Sequence, residues 1–167
     1  MKACIITVSD RGAKGERKDE SGPLLIEILK EKEWFSYIAY EIVPDDKEKI
    51  RELLMKYADE GYNLILTTGG TGLAPRDVTP DATSEVIEKE VPGLSEEMRR
   101  VSREKTPHAL LSRAIAGVRR ETLIVNLPGS PKGASENLFA IIDAIPHALK
   151  LLAGGVKDCK DEVPGKV

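Results

Sequence analysis

The chain is poor in cysteine, aromatic residues, histidine and long apolar runs, and each shortage closes off a class of function. Its two cysteines are Cys4, inside an apolar run, and Cys159, near the C-terminus, with no Cys-x-x-Cys pair. That is too few for a disulfide framework and gives no structural zinc site. Aromatic residues make up 4% of the chain, and four of them crowd together as Trp34, Phe35, Tyr37 and Tyr40. None lies in a glycine loop, so there is no stacking platform for single-stranded nucleic acid. The two histidines, His108 and His147, have no cysteine or paired carboxylates at ligand spacing, and no Ser-His-Asp or Cys-His set is visible. This speaks against nucleophilic covalent catalysis. The longest uncharged stretch, Gly61 to Pro75, is rich in Gly and Thr and too short to span a bilayer, so no membrane partner is expected. The N-terminal MKACIITVSDRG has one lysine and a short apolar run but no small-residue cleavage site. It reads as a buried strand of a cytoplasmic protein.

What remains is an ordinary globular composition: 167 residues, 41% hydrophobic and 32% charged, with a net charge of −3. Such a chain makes one domain with a sizeable core, expected over residues 1–152 and followed by a polar tail at 153–167. The overall charge gives no reason to expect nucleic acid as a partner.

Two periodicities alternate along the chain. ACIITV (3–8) is a β-branched apolar run of the kind buried on both faces of a sheet, and PLLIEILKEK (23–32) then puts Leu24, Leu25, Ile28 and Leu29 on one helical face. A strand near 36–43 and a helix at 46–59 follow, and NLILTT (63–68) runs into Gly69-Gly70-Thr71-Gly72. Helices are predicted over 81–90 and 94–104, 107–117 is ambiguous between helix and loop, and ETLIVNLP (121–128) is a further strand. A long helix runs from Lys132 to about Leu152, with Pro146 as a kink or restart. This order predicts an α/β three-layer sandwich with a mostly parallel central sheet and helices on both faces. Ligands in such folds bind beyond the carboxyl ends of the strands. Those ends here are Ser9-Asp10-Arg11, Pro44-Asp45-Asp46, the glycine run and Pro128-Gly129-Ser130-Pro131-Lys132, each small, polar or charged.

The segment TTGGTGLAPRDVTPDAT (67–83) is the most informative. Consecutive glycines let a backbone turn sharply and bring N–H groups close to a phosphate. No Gly-Lys-Ser/Thr follows, so it is not a Walker loop, and the third Gly of a dinucleotide fingerprint is missing. Thr79-Pro80-Asp81 reads as a cap and first turn whose positive end can face an anion. Asp45 and Asp77 stand in separate strand-end loops, where helix periodicity needs neither. Carboxylates beside a phosphate loop imply a hard cation between them, such as Mg²⁺ with a nucleotide. The alternative from the same residues is that Asp45 or Asp46 caps the 46–59 helix and Asp77 pairs with Arg76 or Arg11. Between Ser95 and Arg120 seven cations face three carboxylates, a local balance of +4 that leaves −7 for the rest of the chain. Such a stretch is either a solvated helical face or a basic surface for a polyanionic substrate, with Ser102, Ser112 and Arg113 as phosphate donors. Ser130 and Lys132 open the last helix, as a plain strand-to-helix turn or as part of an anion site.

Taken together, LTTGGTGLAPRDVTPDAT, the strand-1 end TVSDR, VPDD after strand 2, LSRAIAG at 111–117 and NLPGSPK at 126–132 resemble the MogA/MoaB family of molybdopterin adenylyltransferases, whose domain recurs as the gephyrin G domain. The resemblance spans roughly residues 3–152. It implies transfer of AMP from MgATP to the terminal phosphate of molybdopterin with release of pyrophosphate, so Mg²⁺ is the expected cofactor and ATP the co-substrate. It also implies a homotrimer or hexamer and a handover to a molybdenum insertase. The family's two functional aspartates fall on Asp45 and Asp77, as catalytic and metal-holding residues. The substrate-binding positions fall on Ser9, Asp10, Gly69, Gly70, Thr71, Gly72, Ser102, Ser112, Ser130 and Lys132. A non-catalytic, MoaB-like molybdopterin-binding or delivery protein is the alternative within the same resemblance.

Overall fold

The computed structural model describes residues 1–154. Of the expected polar tail, only Ala153 and Gly154 are among them, and Cys159 lies outside. The elements run β1 (Lys2–Val8), α1 (Asp10–Ala13), α2 (Ser21–Glu31), β2 (Tyr37–Val43), α3 (Lys47–Asp59), β3 (Leu64–Thr68) and α4 (Thr79–Ser84). They continue with β4 (Lys89–Glu90), α5 (Pro92–Arg103), a 3-10 turn at Pro107–Leu111, β5 (Ala116–Arg119), β6 (Thr122–Leu127), α6 (Pro131–Ile141), a second 3-10 turn at Ile142–Ala144, and α7 (Ile145–Leu152). The sheet has six strands in the order β2-β1-β3-β6-β5-β4. The first four are parallel, while β5 and β4 pair antiparallel.

The apolar runs of β1, β3 and β6 are buried almost throughout because helices cover both faces. Alternate residues go to opposite sides. Ile5, Leu64, Leu66, Leu123 and Val125 pack under α2, α5, α6 and α7 with Leu25, Leu29, Met98 and Leu138. Cys4, Ile6, Ile65 and Ile124 face α3 and α4 with Ile50, Leu54 and Ala82. The expected three layers are present. Burial pushes the Cys4 thiol up to about 12, so it is a neutral core side chain.

Three predicted elements differ. The helix expected over 81–90 stops at Ser84, and residues 89–90 form an edge strand against β5. The non-local bonds from Glu88 N–H to the Val118 carbonyl (2.7 Å) and from Val91 N–H to the Ala116 carbonyl (2.8 Å) outweigh local helix propensity. The ambiguous 107–117 segment divides into a 3-10 turn and the start of β5. The long helix breaks before Pro146, because proline has no N–H to give the Ile142 carbonyl. The Ile145 N–H bonds that carbonyl instead, in a 3-10 turn.

One buried amide ties the layers together near the strand ends. Asn126 on β6 is fully buried; its Nδ2 donates to Thr67 Oγ1 on β3 (3.0 Å) and Thr83 Oγ1 on α4 (2.9 Å), and its Oδ1 accepts from the Ile115 N–H (3.3 Å). Asn126→Ala would leave buried polar groups without partners, at a cost of about 2–3 kcal/mol. Thermal denaturation should show Tm falling by roughly 5–10 °C. An unchanged Tm would mean that the network is not structural.

Candidate functional site

The carboxyl ends of the parallel strands meet around the glycine turn after β3. Gly69 and Gly70 hold φ of +106° and +64°, a region open to glycine and strained for other residues. Space is equally decisive. A Cβ on Gly69 would lie 2.3 Å from the Val8 carbonyl oxygen at the end of β1, and one on Gly70 would lie 2.4 Å from Thr79 Oγ1. Thr79 is fully buried and donates its hydroxyl to the Gly69 carbonyl (2.8 Å), while its N–H donates to the Gly70 carbonyl (3.1 Å). Val78, not Thr79, holds the cap position of α4, with no side-chain bond, and the Thr79 hydroxyl pins the turn instead. At six residues α4 is too short to offer an anion much helix dipole.

On the β6 side, the Thr68 hydroxyl donates to the Pro128 carbonyl (2.6 Å) and the Ser21 hydroxyl to the Gly129 carbonyl (2.8 Å). Gly129 itself lies against Gly69. The turn therefore stands between two clefts. The first, about 310 Å³, has Ser9, Asp45, Gly69, Gly70 and Ser130 on its walls. The second, about 320 Å³, lies between α5, the 3-10 turn at 107–111 and α6, with Thr71, Gly72, Ser102, Ser112 and Ser130 on its walls. Ser130 belongs to both. It also caps α6, accepting from the Gly133 N–H (3.1 Å).

The two aspartates sit on this frame in different ways. Asp46, not Asp45, caps α3 through the Lys49 N–H (3.1 Å), which leaves Asp45 for the site. Asp45 and Asp10 exchange reciprocal bonds, the Asp10 N–H to Asp45 Oδ2 (2.8 Å) and the Asp45 N–H to Asp10 Oδ1 (3.1 Å). Asp10 also takes a bidentate bond from Arg76 (2.6 and 2.7 Å), which holds its pKa below the usual carboxylate value. Arg76 is thus engaged with Asp10, and Asp77 Oδ2 accepts instead from the Ala74 N–H (2.8 Å). Burial raises the Asp45 pKa, and the negative charges of Asp10 and Asp77 raise it further against the Asp10 N–H and Arg76. A carboxylate made harder to ionise by its own neighbours is a feature of sites built for a cation or a reaction rather than for stability.

Three predicted residues stand apart. Asp10, Asp77 and Lys132 are not on the walls of either cleft. Asp10 buttresses Asp45, and the Asp77 carboxylate rests against Gly72, where a Cβ would come within 2.8 Å of Oδ2. The basic stretch is not one surface. Arg119 and Arg120 pair with Asp59 at the opposite end of the strands, Arg100 with Glu97 and Glu104, and Lys105 with Glu136. Arg113, read as a phosphate donor, bonds instead to Gly72, Asp77 and Asp81. Of the seven cations only Arg99 and Lys105 reach the second cleft.

The sequence reading missed Asp19 in the first cleft. Its carboxylate accepts from Thr7 Oγ1 (2.6 Å), Tyr40 OH (2.5 Å) and the N–H groups of Ser21 and Gly22, binding the 12–20 loop to the sheet edge. These bonds together keep its pKa low despite burial. Its sequence signal was local: an Asp shortly before the Ser-Gly-Pro that opens a helix. His108 and Asn137 in the second cleft had no such signal.

Among the described residues no three His, Cys, Asp or Glu side chains group to hold a metal. A resident zinc-like centre does not fit them. The donors present near the glycine turn are carboxylate oxygens, the ligand type Mg²⁺ takes, commonly one or two of them together with waters and substrate phosphates. No helix among the described residues is long and apolar enough to cross a membrane.

The chain is similar to known proteins over most of its length. The family described as a probable molybdopterin binding domain (MoCF_biosynth) matches residues 4–147. The chain is 44% identical over 157 residues to a molybdopterin adenylyltransferase of Helicobacter pylori, covering 90% of this chain and 86% of that one. It is 42% identical over 157 residues to gephyrin of Dictyostelium discoideum, covering 89% of this chain but only 22% of that protein's length. Among solved structures, the molybdopterin biosynthesis enzyme MoaB of Thermus thermophilus is 54% identical, with a TM-score of 0.84 over 92% of this chain and 96% of that one. With a match across most of its length and relatives this similar, the chain belongs to the MoCF_biosynth family of molybdopterin-binding domains.

Proposed function

We propose that this chain is a molybdopterin adenylyltransferase of molybdenum cofactor biosynthesis, transferring AMP from ATP to the terminal phosphate of molybdopterin. The observation that carries the reading is the pair of clefts meeting at Ser130 beside a side-chain-free glycine turn, with Asp45 at the edge of that turn. Two substrates brought to one point is what group transfer requires, and the high identity to a named molybdopterin adenylyltransferase supports the same chemistry.

In the proposed step an oxygen of the molybdopterin phosphate forms a bond to the α-phosphorus of ATP. The bond from that phosphorus to the bridging oxygen breaks, and pyrophosphate leaves with the electron pair. No general base is needed, because a phosphate monoester is largely ionised near neutral pH. The residues here act by position and charge. The Gly69–Gly70 turn lets backbone approach the phosphates, Ser9 and Ser130 offer hydroxyls, and Asp45 with Asp77 would hold Mg²⁺. The metal, when bound, supplies neutralisation of the charge that develops on the phosphates. A homotrimer and handover of the product to an insertase belong to the same proposal. Support for self-association comes from the exposed Tyr37, Tyr40 and Ile42 on edge strand β2.

The deciding experiment is pyrophosphate release from ATP, measured with and without molybdopterin. Release that depends on molybdopterin and Mg²⁺ is expected. Tight molybdopterin binding without release would favour the binding or delivery role. Asp45→Asn and Asp77→Asn should each lower turnover by at least about 10²-fold while leaving the fold intact, and wild-type activity in Asp77→Asn would sink its assignment.

A pH dependence follows from the raised Asp45 pKa. The folded state holds this proton more tightly than the unfolded chain, so the group favours folding at low pH and loses that contribution as pH rises through the folded pKa. Metal holding needs the ionised form. The acid limb of kcat/KM should therefore lie above the ordinary carboxylate value of 3.8, and Asp45→Asn should be at least as stable as wild type at neutral pH. An acid limb at or below that value, or an Asp45→Asn protein that melts earlier, would contradict the assignment.

A further inference from the structure

We infer that Arg113 is the positioning residue that sets Asp77 for the transfer step, acting from behind the loop that carries it. The inference rests on the function proposed above. Between Gly72 and Val78 the chain leaves the sheet as a loop, with Leu73 largely exposed, and little hydrophobic contact holds it in place. Arg113 grips it at both ends. Its N–H donates to the Thr71 carbonyl (2.9 Å), Nε to the Gly72 carbonyl (3.0 Å), and Nη2 to the Asp77 carbonyl (2.6 Å). The guanidinium itself is fixed by Asp81 at the head of α4, through Nη1 (3.2 Å) and Nη2 (2.6 Å). One planar fork therefore joins the first and last residues of the loop, 72 and 77, to a helix.

The front of the loop is fixed by the bonds this clamp permits. Asp77 Oδ2 accepts from the Ala74 N–H (2.8 Å), and the Asp77 N–H donates to the Ala74 carbonyl (2.9 Å). Arg76, one residue before Asp77, reaches across to Asp10, which is itself bonded to Asp45. Both carboxylates thus lie on one line of contacts, Asp45 to Asp10 to Arg76 to the loop, and the loop back to Arg113. The arrangement uses properties that lysine lacks. A guanidinium presents several N–H donors in a rigid plane, whereas an ammonium is a point charge on a flexible stem. Arg113 is also partly exposed, as is Asp81, and pairs of that kind add little to global stability. A local defect in Asp77 placement can therefore be separated from unfolding.

The test compares Arg113→Gln, Arg113→Lys and Asp81→Asn with wild type and Asp77→Asn in the pyrophosphate-release assay, with Arg51→Gln on the outer face of α3 as a control expected to behave as wild type. Both Arg113 variants should lose about 10²-fold in kcat, the size of effect expected from roughly 1 Å of misplacement. KM for either substrate should move by less than about threefold, and Tm should change little. Asp81→Asn should lose less, and adding it to Arg113→Gln should cost nothing further, since both act through one contact. An independent readout needs no turnover: amide hydrogen exchange at Ala74 and Asp77 should quicken in Arg113→Gln, while exchange in β3 stays as in wild type. Wild-type kcat and protection in Arg113→Gln would overturn the inference, as would a kcat loss that tracks a fall in Tm, or losses that add in the double variant. If wild type releases no pyrophosphate, or Asp77→Asn is fully active, the functional reading fails and this inference with it. An active wild type and an inactive Asp77→Asn beside an unaffected Arg113→Gln would refute the inference alone.

Discussion

The turn that follows β3 can close against its neighbours only because three side chains are missing. Gly69 passes against the Val8 carbonyl, Gly70 against the Thr79 hydroxyl, and Gly129 against Gly69, at separations that leave no room for a Cβ or barely admit one. The contact is steric before it is chemical. Strand pairing already sets the ends of β1, β3 and β6 side by side; the glycines let the turn close there, and both clefts are the spaces left on either side of it. Asp45 then arrives from β2, since β2 pairs with β1 in register to its last residue, Val8 with Val43. The sheet order therefore decides that Asp45, the glycine turn and Ser130 are neighbours although they are far apart along the chain.

Around this contact, charge is divided between groups that hold the frame and groups left to act. Asp10 is neutralised by Arg76, Asp81 by Arg113, and Asp19 is surrounded by donors, so each favours ionisation and each fixes a loop. Asp45 is the exception, with burial and two neighbouring carboxylates set against its charge. A carboxylate whose charge the fold opposes marks a functional position more often than a structural one. Two of the cations nearby brace the frame: Arg76 and Arg113 bind protein carboxylates and carbonyls.

Much of the fold was legible in the sequence because its signals are local. The apolar runs of β1, β3 and β6 and the stripes of α2 and α3 follow from periodicity alone, and the parallel order follows from their alternation. The errors fell where a distant partner overrode a local preference. Residues 89 and 90 left a predicted helix to pair with β5, and Thr79 left a predicted cap to hold Gly69. Of the two readings of the +4 balance over 95–120, the single basic surface gives way for a related reason. A sum along the chain assumes neighbours in sequence share a surface, and the β5–β6 hairpin carries Arg119 and Arg120 to the far end of the sheet.

Residue type and spacing alone determined that this chain makes an α/β layer structure with a mostly parallel sheet, and pointed to the glycine-rich strand ends, Asp45 and Asp77 for its proposed chemistry. These features depend on backbone freedom at glycine and on short-range pattern, which one sequence displays in full. Only the tertiary structure decided what each polar side chain does. It gave helix capping to Asp46 rather than Asp45, set Asp19 as the clamp of the first cleft, and joined the Arg113 guanidinium to the 72–77 loop. The physical reason is that a hydrogen bond or an ion pair acts over about 3 Å, and which groups come that close is fixed by strand register and helix packing, not by position along the chain.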